Sequence, residues 1–534
     1  MRVAVADIGT NSTHLLIAET RHGSRSGGYR VLDSLKDRTR LGECLDAEGN
    51  VTEEGYSRLA HSLRRFRDLA ASHGVPELRA YATSAMRGAP NGEAVAGRLR
   101  AEVGVYPVIV SGEREGQLTY LGAAGSVQFG PDNLLLDLGG GSLELVRGGP
   151  AEAKRVLSLP LGSVRMHGHY LSGGPASKPP RRRDLEALRE HVRALLEPEL
   201  RPFARRPETR VFASSGTALT LAAVLAARSG GVPPVEGTDL NGAAFTVTAL
   251  GELLEELSRM TAEKRARVPG LDAKRADIIV AGALVLHTAL SLLGAGSVTV
   301  SAGALREGML REYLGQQEDW TRGLSARQRS VLDLAERFGA NLAHARQVTL
   351  LSQNLYDRLQ TLELLPGVPQ QDAQLQAGQA STDTHRSLLS AAATLHETGQ
   401  IVGQSSHHKH SAYLIRYAGL RGYDPAQTEL IAQIARYHRK SVPKPSHPEY
   451  AALPPETQNI LRQLAAVLRV ADGLDRSHAQ SARILDLKHT PGPRRSGRGL
   501  TLSVTGVHAL ELEGVRQKGD LWEQTFGPLR IEVG

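Results

Sequence analysis

The chain carries one local pattern twice. Val5-Ala6-Asp7-Ile8-Gly9-Thr10-Asn11-Ser12-Thr13-His14-Leu15-Leu16 and Leu135-Leu136-Asp137-Leu138-Gly139-Gly140-Gly141-Ser142-Leu143-Glu144-Leu145-Val146 both set Asp-x-Gly-x-x-Ser between apolar runs. Each predicts strand, tight turn, strand. A carboxylate that closes a buried strand, followed by a Gly/Ser/Thr/Asn turn, aims backbone N–H and hydroxyl donors at one spot, an arrangement suited to phosphate oxygens. One such turn alone is an ordinary hairpin. A matched pair on two halves of a duplicated fold predicts two loops facing each other across a cleft, and a cleft of phosphate-holding turns and acids suggests phosphoryl transfer or phosphoanhydride hydrolysis. No Gly-x-x-x-x-Gly-Lys-[Ser/Thr] loop exists, and Gly139-Gly140-Gly141 does not extend to Gly-x-Gly-x-x-Gly because Glu144 holds the last position.

With 534 residues the chain is too long for one core. The single cysteine, Cys44, rules out an internal disulfide framework and fits a reducing cytoplasm, and a chain that opens on a strand predicts no signal peptide. The apolar run at 278–294 is interrupted by His287 and rich in small residues, so it predicts a buried helix, not a membrane span. A net charge of +8 suits a polyanionic partner. Nucleic acid is disfavoured, since aromatics are 4% of the chain and the runs Arg181-Arg182-Arg183 and Arg494-Arg495 sit in Pro/Gly-rich segments without stacking residues.

Six ordered motifs resemble those of the exopolyphosphatase and guanosine pentaphosphate phosphohydrolase (Ppx/GppA) family: Asp7 to Ser12; Ala82-Thr83-Ser84-Ala85-Met86-Arg87 with Asn91; Ser111-Gly112-Glu113-Arg114-Glu115; Asp137 to Glu144; Ser214-Ser215-Gly216-Thr217; and Gly303-Ala304-Leu305-Arg306-Glu307-Gly308. The resemblance covers nearly the whole chain. It implies duplicated actin-like, sugar-kinase-like α/β lobes at 1–125 and 126–310, a helical HD-like domain at 325–481 and a small β-rich region at 482–534. Composition shifts at Gln316-Gln317-Glu318-Asp319, residues 172–183 read as a mobile insertion, and Pro491 to Gly497 breaks the helical pattern. Beyond it, Leu500–Val504, Ala509–Leu512 and Leu529–Val533 read as short strands.

Hydrolysis of a phosphoanhydride needs a grip, a counter-charge and a base. The resemblance assigns the grip to Gly9, Thr10, Asn11 and Ser12, to Gly139, Gly140, Gly141 and Ser142, and to Ser215, Gly216 and Thr217. Asp7, Asp137 and Glu144 are hard oxygen ligands suited to Mg²⁺, with an outward strand residue as the lesser reading of Glu144 on spacing alone. Glu115 falls on the family's base, with Gly116 where Ala is usual and Arg114 where a second acid is common; without the family it reads as a first-turn carboxylate of a helix that Ser111 caps. Arg87 is expected to pair with phosphate oxygens. Arg306 either touches substrate or braces the lobes through Glu307.

In the helical region, His344, His396-Glu397 and Asp472 follow the order of metal ligands in HD-type phosphohydrolases, with Glu397 where that motif has Asp. The clusters His407-His408-Lys409-His410 and Arg436-Tyr437-His438-Arg439-Lys440 match long exopolyphosphatases and predict a positive groove for the polymer. The expectation is a cytoplasmic, homodimeric, Mg²⁺-dependent exopolyphosphatase acting on inorganic polyphosphate, with no nucleic-acid or membrane partner. The alternatives are a guanosine pentaphosphate phosphohydrolase, a non-catalytic polyphosphate or alarmone sensor, which Glu115 argues against, and a kinase, which the Arg87 and Arg306 motifs disfavour.

Overall fold

The computed structural model describes residues 2–20, 29–75, 77–150, 152–173, 178–228, 240–315, 325–365, 381–490 and 499–534. The composition shift at 316–319, the break at 491–497 with Arg494-Arg495, and residues 174–177 of the expected insertion lie outside them. The chain divides into two compact units, Met1–Ala326 with Arg421–Asp424, and Arg327–Leu420 with Pro425–Gly534.

Unit one holds two sheets. The strands of the first are β1 (Arg2–Ile8), β2 (Thr13–Thr20), β3 (Tyr29–Asp37), β4 (Leu78–Ala82) and β5 (Pro107–Ile109), in the order β3-β2-β1-β4-β5. The second has β6 (Asn133–Leu138), β7 (Leu143–Gly148), β8 (Ala153–Leu159), β9 (Arg210–Ser214), β10 (Ala244–Thr246) and β11 (Ser297–Ser301), in the order β10-β11-β9-β6-β7-β8. Read as β8-β7-β6-β9-β11, it repeats the first sheet, with two antiparallel pairs followed by two parallel ones.

The register repeats too. Asp7 lies opposite His14 and His14 opposite Lys36; Asp137 lies opposite Glu144 and Glu144 opposite Ser158. β6 is apolar along almost its whole length and buried throughout, as a central strand covered on both faces must be. The helix Ile279–Leu292, apolar all round, is buried in the core of the second sheet beside Leu134, Leu250 and Val298. No helix among the described residues is long and apolar enough to cross a membrane.

Two helices of this unit pack against each other beside the sheets. Ser111 caps Gly112–Ala124, its Oγ accepting the Arg114 N–H at 3.1 Å. That helix crosses Leu305–Gly315 at backbone contact, because a Cβ on Gly122 would lie 2.0 Å from the Ala304 carbonyl oxygen and one on Gly308 1.8 Å from that of Leu118. An Arg114–Glu312 ion pair ties the two helices together. Gly116 stands where a methyl would come within 2.4 Å of Val156 Cγ1, so the departure from Ala lets the helix settle onto β8.

Unit two contains the helices Leu342–Thr361, Ser381–Leu395, His407–Tyr417, Pro425–Arg436 and Pro455–Gly473, then a sheet of β12 (Arg483–His489), β13 (Leu500–Thr505) and β14 (Leu529–Val533) in that order. Ala509 to Leu512, expected as a strand, instead opens the helix Ala509–Lys518. β13 and β14 are parallel, so the chain between them must cross over, and a helix is the usual crossover. Strong helix formers fill this segment, and Glu511 accepts the His508 N–H at 3.0 Å to start it.

Candidate active site

Both Asp-x-Gly turns close in the same way. The Gly9 N–H donates to the Ser12 carbonyl at 3.1 Å and the Gly139 N–H to that of Ser142 at 3.0 Å. Further carbonyls of the turns are engaged by the protein itself: Thr10 and Asn11 accept from Gly42 and Arg40, and Gly139 and Gly140 accept from Ser163 and Val164. What the turns can offer a ligand on the other side is therefore N–H and hydroxyl donors. The tips meet, since a Cβ on Gly140 would lie 3.2 Å from the Asn11 nitrogen and one on Gly141 2.4 Å from Thr10 Oγ1. At Gly141 only glycine allows that approach.

Between the sheets lies a cavity of ≈ 470 Å³ lined by both turns, Thr83 and Ser84, Ser215 and Gly216, and by Asp7, Asp137 and Glu115. Ser215 sits at φ 104°, a strained position for a residue with a side chain, and its Oγ caps the helix Gly216–Arg228 by accepting from Thr217 and Ala218 at 3.2 and 3.3 Å. That helix start is a third anion-binding element. Thr217, expected in the grip, is buried behind it and does not line the cavity.

Burial raises every acid at the site. Burial, with Glu115 and Asp137 close by, pushes Asp7 up to about 7 against the pull of Arg306. Glu115 is raised to about 7 by burial despite Arg87, and Asp137 is raised by burial despite accepting Ser214 Oγ–H at 2.7 Å. Glu144, one strand outward from Asp137, is fully buried; burial and the neighbouring Glu115 and Asp137 raise it well above the ordinary value. Its Oε1 accepts from Ser158 Oγ at 2.8 Å and its Oε2 has no partner.

Asp7, Asp137 and Glu144 do not bring ligand atoms within 4.8 Å of one another as a trio, and Glu144 does not line the cavity. Arg87 also differs from expectation, for its Nη1 donates to Glu115 Oε2 at 2.8 Å and to the Val110 carbonyl at 3.0 Å, and it does not line the cavity. It orients the carboxylate. Asn91 is structural, clasping the Val51 main chain at both ends.

Lys36, Arg275 and Arg306 supply the cationic wall. Arg275 lies against Gly216, where any Cβ would clash with its guanidinium, and so stands at the start of the helix. His14 also lines the cavity; burial and then Arg306, Lys36 and Arg275 push it down to about 2, so it is neutral, with Nε2 2.7 Å from Ser12 Oγ. Sequence reasoning missed Lys36, Arg275 and His14. Aligning the strand that follows each repeat would have exposed Lys36; nothing in Asp272-Ala273-Lys274-Arg275 distinguishes Arg275 from a solvated charge.

In unit two, His344, His396 and Asp472 come together within 4.8 Å, all buried, and Glu397 forms a second such group with His344 and His478. Burial alone would lower His344, but Asp472 and Asp475 outweigh it and raise it to about 9. The expected positive groove is corrected here: His407, His408 and His438 are buried, and burial lowers all three, His408 to about 4. Arg436 is paired with Glu449 at 2.9 Å. Apolar helix faces draw these imidazoles inward, and only Lys409 and Lys440 of the two clusters are exposed.

A model of the Ppx/GppA phosphatase family matches residues 2–317, and one of Ppx/GppA phosphatase, domain III, matches residues 326–505. Exopolyphosphatase 1 of Mycobacterium tuberculosis is 36% identical over 323 residues, covering 60% of this chain and 90% of the relative. The crystal structure of an exopolyphosphatase from Cytophaga hutchinsonii gives a TM-score of 0.53 at 26% identity, and that of the Aquifex aeolicus Ppx/GppA family member 0.51 at 27%; each covers 60% of this chain and 99% of the other. Twin lobes of matching strand order around a phosphate-type cleft are thus an actin-like α/β fold, and the protein is a hydrolase. The chain belongs to the Ppx/GppA phosphatase family.

Proposed function

We propose that this chain is an exopolyphosphatase that removes the terminal phosphate of linear inorganic polyphosphate, with Mg²⁺ as cofactor and Glu115 as general base. The observation that carries the reading is that Glu115, poised near 7, faces the same cavity as both phosphate-type turns and the helix start. The turns and Ser215-Gly216 grip the terminal phosphate, and Lys36, Arg275 and Arg306 offset the charge of the phosphates behind it. Water attacks the terminal phosphorus, its proton passes to Glu115, and the anhydride oxygen leaves with the shortened chain. Arg87 holds the receiving carboxylate in place.

The donors fit a hard divalent ion. Asp7 and Asp137 are buried oxygen ligands that burial raises above the ordinary carboxylate range, and the partnerless Glu144 Oε2 lies next to Asp137 in the sheet. Asp7 and Asp137 would hold Mg²⁺, which when bound neutralises phosphate oxygens and usually keeps several waters beside one or two carboxylates. We read the helical unit as HD-like, supported by the meeting of His344, His396 and Asp472. We place the protein in the cytoplasm as a homodimer, on its single buried cysteine and its family resemblance; light scattering tests the dimer.

Phosphate release from polyphosphate, guanosine pentaphosphate and ATP, each with and without Mg²⁺, tests the reading. Polyphosphate with Mg²⁺ is expected to turn over fastest. Faster release from guanosine pentaphosphate would change the substrate, and release from none would leave a binding protein.

A further inference from the structure

We propose, on the reading of the cavity as a polyphosphate site, that Asp277 is a positioning residue: its ion pair with Arg40 holds Arg275 at a fixed span from the first Asp-x-Gly turn. Asp277 stands two residues before the helix Ile279–Leu292 in the core of the second sheet. Arg40 follows three residues after β3, the edge strand of the first sheet. Asp277 Oδ2 accepts from Arg40 Nη2 at 2.7 Å and lies 3.7 Å from Arg38 Nη2, which donates to the Lys274 carbonyl at 2.5 Å. One carboxylate thus gathers two guanidinium groups from beside the other sheet.

Each end of the pair leads directly into the grip. The Arg40 N–H donates to the Asn11 carbonyl in the first turn at 2.9 Å, and Arg40 is kept at φ 46°, a costly angle for a residue with a side chain. Its Nη1 donates to Glu43 Oε1 at 2.7 Å, so both ends of the guanidinium fork are tied. On the other side, Asp277 lies two residues after Arg275, and the main chain between them has little freedom. Asp272 caps the short turn Ala273–Arg275 by accepting the Lys274 N–H at 3.0 Å, and the buried Arg265 donates from Nη1 to the Ala276 carbonyl at 2.6 Å. A displacement of Asp277 therefore carries Arg275, whose guanidinium lies against Gly216 at the start of the third anion-binding element.

Magnitudes separate this role from a structural one. The side chains of Arg40 and Asp277 are 24% and 32% exposed, and an ion pair that wet contributes little to stability. Its effect on a span is larger, because two grips that must meet one phosphate chain lose binding when their separation drifts by about 1 Å. Asp277 does not line the cavity, so it acts only through the residues it holds.

The test measures kcat and KM for polyphosphate, and by calorimetry the Kd for inorganic tripolyphosphate, in full-length Asp277→Asn, with thermal melting alongside. KM and Kd should rise roughly five- to tenfold while kcat and the melting temperature change little. Arg40→Gln, which breaks the same pair from the other side, should match it. The double variant should be no weaker than either single one, and Asp277→Asn should add nothing in the Arg275→Met background. Unchanged KM and Kd in both single variants, a loss confined to kcat, or a full additional loss on top of Arg275→Met would overturn the role. Phosphate release by the unaltered protein is scored apart. If tripolyphosphate binds and no phosphate is released, the hydrolysis fails and the Kd values still decide the role of Asp277; if it does not bind, both fall.

Discussion

The strand triplets Asp7–His14–Lys36 and Asp137–Glu144–Ser158 hold matching positions in matching sheets and carry opposite electrostatics. In the first, a neutral imidazole and an exposed ammonium stand outward from the aspartate; in the second, a buried carboxyl held by a serine does. The turns between the first two strands of each are alike down to the closing hydrogen bond. Duplication has kept the main-chain donors, which depend on turn geometry, while single side chains one and two strands away set the charge that each half presents.

Five measurements would break or sharpen this contrast. Glu115→Gln, which keeps size and removes basicity, should lower kcat by roughly 10²–10⁴ with KM little changed, and wild-type turnover would move the base elsewhere. Glu144→Gln should weaken Mg²⁺ roughly 10- to 100-fold by loosening the support beside Asp137, whereas His14→Gln should leave Mg²⁺ affinity alone. Equal loss in both would mean the halves are not divided by charge. Lys36→Met should raise KM for polyphosphate severalfold and flatten its dependence on salt, since one screened charge pair is gone.

pH supplies the two smaller effects. Glu115 must be ionised to act, so kcat/KM should fall below about pH 7, and Arg87→Gln should move that limb upward because the guanidinium favours the ionised form. An unmoved limb would detach Arg87 from the base. Asp7 and Glu115 also take up protons on folding, as their folded values of about 7 exceed the ordinary 3.8 and 4.5. The stability this adds is complete below about pH 4 and is lost as pH rises through about 7. Metal-free protein should therefore melt a few degrees lower at about pH 8 than at about pH 6, with Mg²⁺ narrowing the gap.

The repeated turns were legible because each is written in six consecutive residues, and the helix at 279–292 because it is apolar on every side. Lys36 and Arg275 were not, since a charge on an edge strand or in a short turn looks the same whether it faces water or a cleft. Arg87 was read for its chemistry with phosphate, and the Gly112–Ala124 helix brought Glu115 to it first. The imidazoles of His407, His408 and His438 lie among charged neighbours in the sequence, and charge suggested a surface; the helix faces that carry them turn inward. Ala509 to Leu512 alternates as a strand would, and only the parallel pairing of β13 with β14 calls for a helix there.

At Gly122 and Gly308 the helix that bears Glu115 touches the backbone of the segment that opens the helix bearing Arg306. With main chain resting on main chain, no rotamer change can absorb a displacement of one against the other. Glu115 and Arg306 are therefore set like two teeth on one key, and the cut of that key is made by two glycines. A single methyl at either would shift Glu115 relative to the cavity it faces, while every residue lining that cavity stayed as it was.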